Sequence, residues 1–416
     1  MSLAKASLWT AGSTLVKITI GLVVIKLLAV AFGPSGVGLA GNYRQLITVL
    51  GVMSGAGIFN GVIMLVAHHQ QQPEPLQRVL GTSATLIALF SSALALLFVL
   101  AAGPIATVLF GDDRYRDVIR LLALLQMGIA CANFFLAILK GYRDAQGNAL
   151  AIVGGSLIGL VAFVACFLLG GYAGALVGLA LVPALIALPA GVLLWRRTPL
   201  RWQHLRPVRD RAFATQLGKF TLMAVMTAVT VPVAYIMMRN VLAAHAGWDA
   251  VGLWQGVSSI SDAYLQFITA AFSVYLLPTL ARLQEKPAIA REIGRALRFV
   301  IPAVAAVSLT IWSLRDVAIW LLFSPQFVPM RDLFAWQLLG DVMKVGAYVF
   351  GYLVIAKAAL RFYMLAELIQ FLLLSGFSQW LISRHGALGA TQAYMLTYVV
   401  YFFLCCCVFL IYRRRP

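Results

Sequence analysis

Residues 9–32 read WTAGSTLVKITIGLVVIKLLAVAF, two dozen positions with no acid, no proline and only two charges, Lys17 and Lys26. A helix of about 20 apolar residues crosses the hydrocarbon of a bilayer, so this run predicts a membrane span. A cation at the centre of such a helix costs about 2.5–3.5 kcal/mol on insertion scales. Its side chain therefore faces a wet or protein-lined interior, and an interior cation marks a path for something anionic.

The rest of the chain repeats that pattern. Apolar runs fall at 9–32, 43–67, 80–102, 118–140, 148–170, 173–195, 215–239, 249–280, 296–321, 333–357, 361–383 and 388–412. Each is twice the length of a β-barrel span, so the chain is expected to be an all-α integral membrane protein of twelve transmembrane helices. Composition agrees: 62% of residues are hydrophobic, 11% are charged and the mean hydropathy is +0.91. Soluble domains carry roughly 25% charged residues.

A net charge of +18 would suggest nucleic acid if it formed a surface stripe, but the basic residues lie in short clusters between apolar runs. With the N-terminus inside, 20 of the 32 basic residues fall on that side, including Lys140 and the group Arg196, Arg197, Arg201, Arg206, Arg209 and Arg211. Basic excess marks the cytoplasmic face, which places both termini there. Arg239 counts among seven cations of the outer loops.

An internal repeat divides the chain. Val37-Gly38-Leu39 recurs as Val251-Gly252-Leu253, Gly174-Ala175-Leu176 as Gly386-Ala387-Leu388, and Leu109-Phe110 as Leu322-Phe323, at offsets of 214, 212 and 213. Six spans return the chain to its starting side, so the halves are expected as two pseudo-symmetric six-helix bundles, 1–195 and 214–416. The basic segment 196–213, with Pro199 and Pro207, joins them as a cytoplasmic linker.

Five cations sit at membrane depth: Lys26, Arg44, Lys17, Lys219 and Lys344. They are the candidate contacts for an anionic head group. Lys17 and Lys26 are nine residues apart and point to opposite helix faces. The repeat makes the spans of Lys17 and Lys219 equivalent, so these two are expected to face each other across a cleft. Gln337, Asp341, Lys344 and Tyr348 lie within about 60° of arc on one helix, where Asp341 and Lys344 are spaced to form an ion pair. Gln255, Ser258, Ser259, Asp262, Gln266, Thr269 and Ser273 form a polar seam on another. Asp262, Asp341, Gln266 and Gln337 are the candidates for ion coupling or cavity lining. Asn60 and Asn133 read as interhelical hydrogen bonders. No phosphate-cradling Gly-Lys-Ser/Thr loop, catalytic constellation or metal-ligand spacing is present, so no cofactor and no metal are expected.

The stretches FGPSGVGLAGNYRQLITVLGVMSGAGIFNGV (32–62), WQGVSSISDAYLQFITAAFSVYLLPTLARL (254–283) and MRDLFAWQLLGDVMKVGAYVFGYLVIAKA (330–358) resemble the Wzx-type lipid-linked oligosaccharide flippases of enteric bacteria over essentially the full length. One departure is Ile63-Met64-Leu65, where relatives carry a lysine. The resemblance implies a bacterial inner-membrane transporter of the multidrug/oligosaccharidyl-lipid/polysaccharide exporter superfamily. Its cargo would be an undecaprenyl-diphosphate-linked glycan containing a uronic acid, with membrane lipid and the glycan polymerisation machinery as partners and no nucleic acid. A lipid II-type flippase and a drug or metabolite antiporter on the same scaffold are the alternatives. A membrane glycosyltransferase is a third, but it would need a catalytic base or metal site that the sequence does not display.

Overall fold

The structure, a computed structural model, describes residues 3–200, 205, 206, 208, 210–357 and 359–414. In chain order the helices are α1 (Leu3–Met53), α2 (Phe59–His69), α3 (Pro73–Leu100), α4 (Ala102–Phe110), α5 (Arg116–Gly141), α6 (Ala145–Ala184) and α7 (Ala187–Arg197). They continue with α8 (Arg211–Ala271), a π-helical turn at Phe272–Leu276, α9 (Leu277–Arg282), α10 (Lys286–Ser313), α11 (Arg315–Leu322), a 3₁₀ segment at Pro325–Leu333, α12 (Phe334–Ala356) and α13 (Leu360–Arg414). Among the described residues, eight helical stretches are long and apolar enough to cross a membrane.

Four of those eight run 47 to 54 residues, too long for one crossing, and each is interrupted at one glycine. Gly33 has φ/ψ of 65/−166, Gly171 55/−135, Gly247 80/169 and Gly386 55/−128. Only a residue without Cβ occupies this region cheaply, so the helix stops there and the chain doubles back. In α6 the returning leg packs so closely that a Cβ on Gly159 would sit 2.7 Å from the Val182 Cα, and one on Gly178 would sit 2.8 Å from the Phe163 Cα. Small residues let two helical backbones approach where lipid gives no hydrophobic drive.

The interruptions also carry the repeat into the backbone. Gly33 and Gly247 are 214 residues apart, Gly171 and Gly386 are 215. α3 and α4 meet at Ala101 (φ −98, ψ 17), and α10 and α11 meet 213 residues later at Leu314 (φ −96, ψ 11). Matching offsets in tripeptides and in backbone angles point to one ancestral unit used twice.

The chain divides into two compact units, Met1–Val24 with Asn42–Pro232, and Ile25–Gly41 with Val233–Pro416. The core of the first gathers Ile58, Val62, Leu80, Ile138, Leu194 and Leu217. The second centres on Leu265, Leu276, Ile289, Val345 and Val349, beside a polar-aromatic cluster at Tyr394, Tyr398 and Tyr401. The basic segment after α7 is docked where it is described: the Val208 amide donates to Gly81 O at 3.3 Å, and Thr85 Oγ1 donates to Val208 O at 3.1 Å. Arg201, Pro207 and Arg209 lie outside the described residues.

The run at 43–67, expected as one continuous span, is two helices. α1 ends at Met53, residues 54–58 turn, and α2 starts at Phe59. Ala56 takes φ 52 and Gly57 φ 68 in that turn. Irregular backbone at membrane depth survives only where protein or water satisfies it. Here Ser91 Oγ donates to Ser54 O at 2.8 Å, which supplies one of the missing bonds.

Candidate functional site

Two polar constellations lie on the long apolar helices, one in each unit. In the first unit the two legs of α1 place Arg44 against Gly21, with a guanidinium nitrogen 3.9 Å from where a Cβ on Gly21 would sit. Gly21 is one helical turn from Lys17 on the same face. Lys17 in turn is within electrostatic reach of both Arg44 and Lys140. Lys17 and Lys140 are exposed, and among the described residues neither forms an ion pair with a carboxylate.

Helix packing sets the spacing of these cations. Asn133 Nδ2 donates to Gly51 O at 2.8 Å, while Gly141 abuts Ile63 and Val66, so α5 runs parallel to the second leg of α1 and to α2. Arg44 lies seven residues before Gly51 and Lys140 seven after Asn133. At 1.5 Å per residue, about 20 Å of helix separates them. Lys17 stands between the two, so the cations form a series along the helix axes. The same register puts the first turn of α2 in that interval, where a helix N-terminus contributes partial positive charge.

In the second unit, charge is compensated and buried. Asp341 is 0% exposed and Lys344 7% exposed. Tyr264 OH donates to Asp341 Oδ2 and Tyr394 OH to Oδ1, both at 2.6 Å. The Lys344 ammonium lies 5.1, 5.3 and 5.9 Å from the ring centres of Tyr398, Tyr394 and Tyr348. A direct Asp341–Lys344 ion pair, which their spacing suggested, does not form within 4 Å. The carboxylate takes hydroxyl donors and the ammonium takes ring faces, worth about 0.5–2 kcal/mol each.

The remaining candidates separate. Asp262 and Gln266 are exposed, whereas Gln337 is 2% exposed and its Oε1 has no hydrogen-bond partner among the described residues. Lys26 donates to the carbonyls of Leu321 (2.5 Å) and Trp320 (3.5 Å), the C-terminal end of α11. It thus acts as a cation at a helix C-terminus. The side chain of Lys219 lies outside the described ones. Asn133 makes the interhelical bond expected of it, but Asn60 is exposed in the first turn of α2 and makes none among the described residues.

Sequence reasoning missed two groups. Arg239, assigned to an outer loop, is 4% exposed: its Nε and Nη2 donate to Gln255 Oε1 at 3.0 and 2.7 Å, and its guanidinium lies 5.2 Å from the Trp254 ring. The helix runs on past its expected end at residue 239 to Gly247, which draws Arg239 into the hairpin. Lys140 was assigned to the inside loop that follows α5. The signal for Arg239 was the turn glycine Gly247, and Ser54-Gly55-Ala56-Gly57 likewise announced the break before α2.

Eight long apolar stretches, four of them folded back at glycine, with cations at depth, define a multi-pass helical membrane protein of transporter type. The fold matches an inward-facing MATE family multidrug transporter of the MOP superfamily with a TM-score of 0.80, at 14% identity, covering 96% of this chain and 95% of that one. It matches the lipid II flippase MurJ in an inward closed conformation with a TM-score of 0.72, at 12% identity, covering 97% and 87%. These similarities show the fold alone. The family described as Polysaccharide biosynthesis protein matches residues 3–284, and the chain belongs to that family. It is 65% identical over 415 residues to the lipid III flippases of Escherichia coli (strain K12) and Shigella flexneri, covering 100% of each.

Proposed function

We propose that this chain is an alternating-access flippase that moves lipid III, an undecaprenyl-diphosphate-linked oligosaccharide, from the cytoplasmic to the periplasmic leaflet of the bacterial inner membrane for enterobacterial common antigen synthesis. The observation that carries this reading is the 65% identity to two lipid III flippases over the whole of both chains. A lipid II-type cargo is supported only by a fold match at 12% identity. The protein is a transporter and not an enzyme, and the membrane lipid and the lipid-linked glycan are its partners. The glycan polymerisation machinery is a proposed further partner.

In this reading the four folded-back helices each supply two crossings, which with the other four make twelve. Both termini are cytoplasmic, and 1–195 and 214–416 act as the two six-helix bundles joined by 196–213. The diphosphate meets Lys17 and Arg44, to which Lys140 adds a third cation. Guanidinium binds phosphate through two parallel N–H donors and ammonium binds it as a compact charge. Lys219 lies on the span that the repeat makes equivalent to that of Lys17, and Lys26 is available when it leaves the α11 carbonyls. The isoprenoid stays in lipid beside the exposed apolar helix faces. Export of an anion from a negative interior gains about 2.3 kcal/mol per charge per 100 mV. Asp262 and Asp341, with Gln266 and Gln337 beside them in sequence, are proposed to add ion coupling. Asp262→Asn and Asp341→Asn test this, and unchanged dependence on an ion gradient in both variants rejects it.

The decisive experiment reconstitutes the protein in proteoliposomes with lipid-linked glycan. Chemically unchanged substrate should appear in the opposite leaflet, and Arg44→Gln with Lys17→Gln should slow that transfer roughly 10- to 100-fold, the worth of one or two charge-assisted hydrogen bonds. Covalent change of the substrate, or full activity in the double variant, defeats the reading.

A further inference from the structure

α3 and α10 are equivalent helices of the repeat, each 28 residues long and offset by 213. Gly81 of α3 therefore matches Gly294 of α10, and Arg78, Thr82 and Thr85 match Arg291, Arg295 and Arg298. In the first unit the protein covers this face itself. A Cβ on Gly81 would sit 2.6 Å from Arg206 O, and Val208 exchanges hydrogen bonds with Gly81 and Thr85. In the second unit the seat is open: among the described residues, no atom beyond the helix's own backbone comes within 4 Å of a Cβ on Gly294. Arg291, Arg295 and Arg298 are all exposed.

The residues that replace the threonines specify what fits there. Gly294 has Arg291 one turn before it, Arg298 one turn after it and Arg295 beside it, the three arginines falling within about 60° of arc. Arg295 Nη1 donates to Glu292 Oε2 at 3.0 Å, whereas Arg291 and Arg298 form no ion pair among the described residues. Guanidinium groups repel a second basic segment like the one on α3 and bind phosphate through paired N–H donors. A glycine between two such groups lets the anion approach the helix closely.

The rest of the face requires that the anion carry tails. Residues 286–295 precede the apolar run at 296–321, so the arginines stand where the helix enters the membrane. Beyond them the exposed strip continues through Phe299 (75% exposed), Pro302, Ala306 and Leu309 (63% exposed). On the opposite side Ile289, Ile293 and Val304 pack into the core of the second unit. An acidic peptide matches the arginines alone, while an anionic amphiphile matches the arginines and the strip together.

We propose that Arg291, Gly294, Arg295 and Arg298 hold an anionic phospholipid on α10, with its phosphate over the open glycine and its acyl chains along the apolar strip. The lipid fills in the second unit the place that residues 206 and 208 fill in the first. Such a site is independent of the cargo proposed above.

The test titrates the full chain in neutral detergent micelles with phosphatidylglycerol, or with phosphatidylcholine of the same chains, and counts bound lipid by native mass spectrometry. One arginine at an anionic surface is worth about fivefold in affinity, so with Glu292 offsetting Arg295 the two remaining charges should give phosphatidylglycerol a preference of about 25-fold. Arg291→Gln with Arg298→Gln should erase it. Gly294→Leu keeps every charge but fills the seat, and should weaken phosphatidylglycerol binding about fivefold. Arg282→Gln, one cation on neighbouring α9, should hold the preference within about twofold. A preference that survives both the double variant and Gly294→Leu overturns the site, and so does an Arg282→Gln loss equal to that of the double variant, which would mean diffuse attraction only. Displacement of phosphatidylglycerol by a soluble glutamate-rich peptide would assign the face to an acidic protein and overturn the lipid.

Discussion

The two polar constellations solve the cost of charge in a membrane in opposite ways. In the first unit Lys17 and Lys140 stay exposed, repel their neighbours and have no carboxylate partner among the described residues. In the second, Asp341 and Lys344 are buried and surrounded by tyrosines. The open series of like charges is where the diphosphate is proposed to bind. The compensated set lies in the buried core of the second unit. The two halves, related by a sequence repeat, thus carry different polar chemistry at their spanning helices.

The largest expected effect that would break this contrast is in stability. Asp341→Leu removes the acceptor of two tyrosine hydroxyls and leaves the Lys344 charge uncompensated, which should cost about 3 kcal/mol. Lys17→Gln removes a repelling charge and should leave stability within about 0.5 kcal/mol of the parent, or raise it. Thermal unfolding in detergent reads both, and equal losses would mean that the two sites are built alike. Next in size are the turn glycines. Gly171→Ala and Gly386→Ala meet no clash, since Gly171 has open space and Gly386 only an ordinary contact 3.5 Å from the Ala246 Cβ. Each should lose about 1–3 kcal/mol to backbone strain alone. Matching losses sharpen the comparison by showing that the scaffold repeats even where the chemistry diverges. The smallest effect is at Lys26→Met, which should cost about 0.3–1 kcal/mol through the C-terminus of α11. Hydrogen exchange over residues 315–323 should quicken, and if it does not, the ammonium is not holding that helix.

Divergence between the repeats extends to helix irregularity. The first unit breaks outright at Ser54–Ile58, while in the second the corresponding helix continues with a π-helical turn at Phe272–Leu276. A full break exposes the amides of a new N-terminus, which suits an anion. The π-turn is fastened instead, with Ser273 Oγ 3.0 Å from Tyr352 OH and Tyr352 OH donating to Thr269 O at 3.1 Å. A polar seam read on one face of α8 is thus divided in use: in the interior Gln255 accepts from Arg239 and donates to Ser259, whereas Asp262 and Gln266 are exposed.

By itself the sequence determined the all-helical membrane fold, because length and hydropathy of each apolar run answer directly to the thickness and dielectric of the bilayer. It determined the repeat as well, since glycine-marked turns recur at nearly constant offset, and it singled out five cations within apolar runs. Only the tertiary structure decided which of them meet. Lys17 joins Arg44 and Lys140, Lys26 turns to the α11 carbonyls, and Lys344 enters a tyrosine cage, because a side chain's partner depends on which helix lies opposite and at what level. Those are long-range facts of packing, set by close glycine contacts and single interhelical hydrogen bonds such as Asn133 to Gly51, and no local periodicity encodes them.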